Sequence, residues 1–203
     1  MRAQSTRTRL EPDIRREQIL EVARRLFSER TYAAVSTVDI AREAGVARGL
    51  LHHHFGTKRE LYLEVVRELV QTPPPIVAVS AGRSREEVLS EGVELWLDMV
   101  ESNRGTWLAA VGAEGFGRDP EIERIVEKAR RASTKQVMRL SGLDREDYDD
   151  REVRAVIRAY GGLAEAATTE WIARGRLTRE QVRVLLTDTL LSLLGQVLPK
   201  IRS

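Results

Sequence analysis

Cysteine is absent from the 203 residues, which excludes disulfides, thiolate metal sites and cysteine nucleophiles and leaves the redox compartment open. Histidine occurs only as the consecutive run His52, His53, His54, and no glycine-rich phosphate loop is present, so enzyme chemistry is not expected. Lysine is confined to Lys58, Lys128, Lys135 and Lys200, and arginine carries the remaining basic charge. No run of 18 apolar residues occurs, and the opening residues MRAQSTRTRLEP have a basic start without an apolar h-region. Neither export nor membrane spanning is supported, and the cytoplasm is the simplest compartment.

What is present fits a globular chain: 42% apolar residues, 32% charged residues, and a single short proline run at Pro73, Pro74 and Pro75. Length allows one or two domains with a full core. The net charge of +2 hides an asymmetry, because residues 1–71 carry 13 Lys+Arg against 10 Asp+Glu and the remainder is slightly acidic. A basic N-terminal end fits nucleic-acid contact, though many soluble domains share such a bias.

Helical periodicity runs through almost every segment, and no set of adjacent alternating runs reads as a sheet, so the chain is expected to be all-α with about nine helices. Ile19, Leu20, Ala23, Leu26 and Phe27 share one face of a first helix over about 13–30. Ser36 begins a second, with its hydroxyl at the N-cap and Asp39 three residues on. Gly45 ends that helix with a residue free to turn left-handed, and Val46 follows as a plug for the core. A short third helix over about 47–55 has Leu51 and Phe55 on one face and Arg48, Gly49, His52 and His53 on the other. Thr57 and Glu60 form the capping box of a fourth helix, which the prolines end.

Beyond the prolines, Ser84 and Glu87 cap a fifth helix and a short sixth is read over about 104–114. Asp119-Pro120 starts a seventh, ending near Gly142. Two apolar helices close the chain, one over about 150–174 and one over about 178–198 capped by Thr178 and Gln181. Their wide apolar stripe reads equally as internal core or as a patch that a dimer buries.

The capped helix, glycine turn and short helix from Ser36 onward have helix-turn-helix spacing, and the exposed set on the short helix offers donors to base edges and phosphates. Consecutive histidines diverge by about 100° on a helix, so a metal site built from them is not expected. Lys58 lies in a first helical turn, where an ammonium opposes the dipole but joins backbone amides in holding a phosphate.

Through Phe27, Ser36, Ile40, Ala41, Ala44-Gly45-Val46, Gly49, Leu51, Phe55, Lys58 and Leu61 the sequence closely resembles the TetR family of transcriptional regulators. The basic arm over 1–12 holds Arg2, Arg7 and Arg9, which either enter a minor groove or simply stay disordered, with disorder the expectation in the absence of DNA; the resemblance implies a DNA-binding domain over 13–71 with a linker helix at 58–71. An effector-binding and dimerisation domain would span 72–203. It implies DNA contact by Ser36, Thr37, Arg48, Gly49, Leu50, His52, His53, His54 and Lys58. Three positions depart from the usual pattern: Thr31 replaces a glycine, His52 a tyrosine, and Leu50 a small polar residue that a leucine would exchange for contact with a thymine methyl.

The same resemblance shifts the last two helices toward a homodimer surface, with paired recognition helices roughly 34 Å apart on a near-palindromic double-stranded operator. Trp96, Met99, Trp107, Phe116, Tyr160 and Trp171 fall in segments that would line a pocket for a small apolar effector; ordinary core packing is the alternative for each. The implied mechanism is repression released by the effector, transmitted through the helix over 58–71. No cofactor or metal is expected.

Overall fold

The computed structural model describes residues 12–71, 83–112, 119–143 and 151–201. The basic arm with Arg2, Arg7 and Arg9, the three prolines and Phe116 lie outside them. Every regular element among the described residues is helical: α1 (Pro12–Glu29), a 3₁₀ turn (Tyr32–Ala34), α2 (Thr37–Glu43), α3 (Arg48–Phe55), α4 (Lys58–Gln71), α5 (Arg85–Ser102), α6 (Arg104–Ala110), α7 (Pro120–Leu140), α8 (Arg151–Ile172) and α9 (Arg179–Ser192). From α9 the chain runs through a π turn (Leu193–Val197) into α10 (Leu198–Ile201) without a break. Taken as one helix, that run brings the number among the described residues to nine, as expected.

The helix starts follow their caps. Ser36 Oγ accepts from the Asp39 amide at 3.0 Å, and Ser84 with Glu87 and Thr178 with Gln181 form complete capping boxes. Thr57 and Glu60 do the same for α4: the Thr57 amide donates to Glu60 Oε2 at 2.7 Å and the Glu60 amide to Thr57 Oγ1 at 3.1 Å. The Thr57 amide, with the Thr57 hydroxyl, pulls the Glu60 carboxyl below the ordinary glutamate range. Gly45 adopts φ +64 at the α2–α3 turn, a conformation that costs any residue with a Cβ.

Two ends differ from the periodicity. The sixth helix stops at Ala110 rather than near 114, and Gly112 turns the chain at φ +75. The final helix reaches Ile201, and its π turn inserts an extra residue that rotates the apolar stripe.

Residues of α1 to α4 share one dense core built on Ile19, Leu26, Phe27, Ile40, Leu51 and Leu61, each at most 1% exposed, with Val46 packed against it. This core does not stop at the proline boundary, because Ala109 and Ala110 of α6 and Ile122 and Val126 of α7 belong to it. α6 sits against α1 so closely that a Cβ on Gly105 would land on the carbonyl oxygens of Phe27 and Ser28. The rest of the chain, α5 to α10, holds three smaller clusters instead of one.

Candidate nucleic-acid interface and effector cavity

Helix α3 has two faces of opposite character. Leu51 and Phe55 are buried, while Arg48, Gly49, His52 and His53 are exposed and Leu50 and His54 are half-buried. Nothing lies within 4 Å of where a Gly49 Cβ would sit, so packing within the protein does not require glycine there. Arg48 Nε donates to His52 Nε2 at 3.3 Å, and His52 Nδ1 lies 2.7 Å from the Gly56 carbonyl. Both contacts fit one neutral tautomer, with the proton on Nδ1. The imidazole that replaces the usual tyrosine thus bridges Arg48 to the last turn of α3.

Ser36 and Thr37 open α2 beside this face, both half-buried. The Ser36 hydroxyl donates to Asp39 Oδ2 at 2.7 Å while its oxygen caps the helix, and this hydroxyl holds the Asp39 carboxyl below its usual range. Lys58 is not a solvated lysine. Its ammonium donates to the Tyr32 carbonyl and stands 4.0 Å from the centre of the Tyr32 ring, and desolvation lowers its pKa. The phenol ring therefore fixes the first residue of α4, a partnership 26 residues apart that sequence periodicity did not reveal. Among the described residues, no group of three or more His, Asp or Glu side chains could hold a metal ion.

Between α4, α5, α6, α7, α8 and α9 lies a cavity of about 400 Å³. Trp96, Met99, Trp107 and Tyr160 line it. Trp171 does not; it packs with Val100, Trp107 and Ile172. The Trp96 and Trp107 rings meet edge to face at 5.5 Å, and Trp107 Nε1 donates to Thr168 at 3.4 Å. The Tyr160 hydroxyl donates to the Leu186 carbonyl at 3.0 Å, and burial pushes its pKa up.

The wall also contains a charged pair that the sequence reading missed. Arg130 Nε and Nη2 each donate to one oxygen of Glu165 at 2.7 Å, a two-point contact between α7 and α8. The carboxylate raises the Arg130 pKa. The two residues stand 35 positions apart with no local pattern linking them.

Two surfaces join the halves of the molecule. Leu69 and Val70, near the end of α4, enter the cavity wall. At the start of α4, Arg59 grips Asp119 with Nε at 3.0 Å and Nη2 at 2.9 Å, and two residues before Leu69, Arg67 reaches Glu121 at 2.5 Å. Asp119 is the N-cap of α7, the helix that also carries Arg130.

Comparison with known proteins agrees with this arrangement. Residues 19–65 match the family described as bacterial regulatory proteins, tetR family, and residues 85–193 match the tetracyclin repressor-like C-terminal domain. The chain belongs to the TetR family. The transcriptional activator FasR of Mycolicibacterium smegmatis is 30% identical over 138 residues, covering 67% of this chain and 63% of FasR. The transcriptional repressor AcnR of Corynebacterium diphtheriae is 36% identical over 101 residues, covering 49% of this chain and 47% of AcnR. These alignments thus span about half to two thirds of the relatives' length. A tetR-family regulator from Streptomyces coelicolor superposes with a TM-score of 0.79 at 22% identity, over 94% of this chain and 89% of that one. TetR-family proteins are regulators, not enzymes, and this class is where the chain falls.

Proposed function

We propose that the chain is a homodimeric, ligand-responsive repressor that reads a near-palindromic DNA operator with α2 and α3 and releases it when a small lipophilic effector enters the cavity. One observation carries the reading: α4 starts at Lys58, three residues past the end of α3, and brings Leu69 and Val70 into the cavity wall, so one helix leads from the candidate reading helix to the cavity. A ligand that prefers one position of α4 would change operator affinity through it, and a coupling of about 1 to 3 kcal/mol gives a 5- to 150-fold effect.

For DNA, Arg48 is assigned to a base edge with His52 behind it. Gly49 and Leu50 allow close approach, His53 and His54 lie along the same groove, and Ser36, Thr37 and Lys58 meet phosphates. Fragments selected from the source genome, followed by fluorescence anisotropy, test this. Arg48→Ala should lower specific affinity about tenfold or more, whereas Lys58→Ala should weaken all sequences alike and reduce the salt slope by about one. Unchanged binding in both variants would sink the assignment.

The dimer surface is assigned to α8 and the α9–α10 run. Arg179–Ile201 is long and apolar enough to cross a membrane by composition, and only 28% of its apolar window is buried. Val184, Leu185, Val197 and Ile201 are exposed on it, while Arg179 and Arg183 are tied to Glu94 of α5. A helix anchored by ion pairs on one side and apolar on the other fits a second copy of the chain better than a bilayer. Leu185→Glu should convert the dimer to monomer in sedimentation, and an unaltered mass would refute this surface.

A further inference from the structure

The cavity's shape and its charged pair constrain what it takes. Val126, Arg130, Val137 and Leu140 all line it from α7, so it follows four turns of that helix, about 21 Å. A cavity of about 400 Å³ extended along that length suits an elongated molecule. Its two ends differ. Leu89, Val137, Leu140, Ile157 and Leu190 make one end mainly aliphatic, although Gln136 and Arg158 also line the wall there, and the Arg130–Glu165 pair stands about two turns away, next to the tryptophans. Glu165 lies one turn before Thr168, the partner of Trp107.

The pair has spare hydrogen-bonding capacity but no spare charge. Glu165 occupies the Nε and Nη2 edge of Arg130, leaving the Nη1 protons and one Nη2 proton free of that contact, and each Glu165 oxygen keeps a further lone pair. The Arg130 and Glu165 side chains are 39% and 20% exposed. A carboxylate head would have to stand against Glu165, with Glu123 and Glu127 already bearing on Arg130 from the same helix, and Arg158, the second cation in the wall, is already held by Glu127 at 2.8 Å. An ammonium head would face Arg130 itself. Either ion separates or opposes a partly buried pair, which is costly. A hydroxyl or amide does neither, since it accepts from the guanidinium and donates to the carboxylate.

Resting on the cavity's role proposed above, we infer that the effector is an uncharged single-chain amphiphile whose hydroxyl or amide head bridges Arg130 and Glu165 and whose alkyl tail fills the aliphatic end.

Titrating the purified protein with 1-decanol, decanoate and decyltrimethylammonium by calorimetry, with tryptophan emission as a second readout, tests the inference. The alcohol should bind at least about tenfold tighter than either ion, with affinity rising roughly fourfold per methylene along the alcohol series until the tail fills its end. Arg130→Met/Glu165→Met should weaken 1-decanol about tenfold, although the variant pocket is more apolar and lipophilicity alone would strengthen it. If that pair of changes disturbs folding, Glu165→Gln leaves the Arg130 cation without its counter-ion and should turn the preference toward decanoate. Tighter binding of either ion to the unaltered protein, or the same head preference in the variants, overturns the head-group assignment while the cavity reading stands. If none of the three probes binds, both fall.

Discussion

The N-terminal helices and the helices around the cavity use the same helical vocabulary to opposite effect. In α1 to α4 the apolar positions close on one another, and Leu20, Leu26, Phe27, Leu51 and Leu61 are at most 1% exposed within a single cluster. In α5 to α9 comparable side chains are divided among three clusters around an open volume. A close-packed reader keeps α3 in one pose for a fixed spacing on DNA, whereas an incompletely filled sensor gains stability when something occupies it. The difference is one of packing, not of composition.

The largest expected effect probes that contrast directly. Phe27 is buried at 1% exposure and packs on Tyr32 and Tyr62, so Phe27→Ala should cost about 3 to 5 kcal/mol in denaturant unfolding. Val137 already faces the cavity on one side, so Val137→Ala should cost about 1 kcal/mol. Equal costs would mean that the two ends are packed alike. Saturating effector should raise the unfolding midpoint of the unaltered protein, and the rise should be smaller in the Val137 variant.

The next effect concerns the seam between the ends. A methyl on Gly105 meets two backbone carbonyls that have no freedom to rotate away, so Gly105→Ala should destabilise by about 1 to 3 kcal/mol through overpacking. Gly92 lies in mid-α5 on the cavity wall, with nothing within 4 Å of an added Cβ. Gly92→Ala should therefore be neutral or stabilise by up to about 1 kcal/mol. A glycine-to-alanine pair with opposite signs would locate rigidity at the α1–α6 contact and slack in the cavity.

The same division explains what the sequence disclosed. Caps at Ser36, Thr57, Ser84, Asp119 and Thr178 are contacts across two or three residues, so local pattern placed those helix starts within about one residue. The two-faced α3 followed from Leu51 and Phe55, four apart, and its assigned role came from family resemblance. The cavity depends on how six helices leave space between them, a non-local property, and large apolar side chains indicate it only by type. Trp96, Met99, Trp107 and Tyr160 reach it, yet Trp171, of the same type, turns instead toward Val100 and Ile172. Polar contacts between distant positions were wholly hidden: Arg130 with Glu165, Lys58 with Tyr32, and Arg59 with Asp119 are separated by 35, 26 and 60 residues.

The smallest effect on stability, and the most informative for signalling, lies at that last pair. Arg59 is exposed, so Arg59→Ala should barely move the unfolding midpoint, yet it removes the clasp between the start of α4 and the N-cap of α7. If α4 transmits the effector's presence, the ratio of DNA affinities with and without ligand should shrink in this variant; an unchanged ratio would assign transmission to the Gly105 seam instead. Acid offers an independent check. Partial desolvation of Asp119 would raise its pKa, but the Glu121 amide, Arg59 and the Ile122 amide outweigh it, leaving the carboxyl below its ordinary value. A depressed carboxyl contributes fully above the unfolded aspartate value of about 3.9 and loses that contribution as pH falls through the lower folded value. The stability gap between the unaltered protein and Asp119→Asn, which keeps the cap oxygen but not the charge, should thus be constant from neutral pH down to about 4 and close below it. A gap that closed nearer neutrality would show that another group, not the clasp, governs the α4–α7 contact.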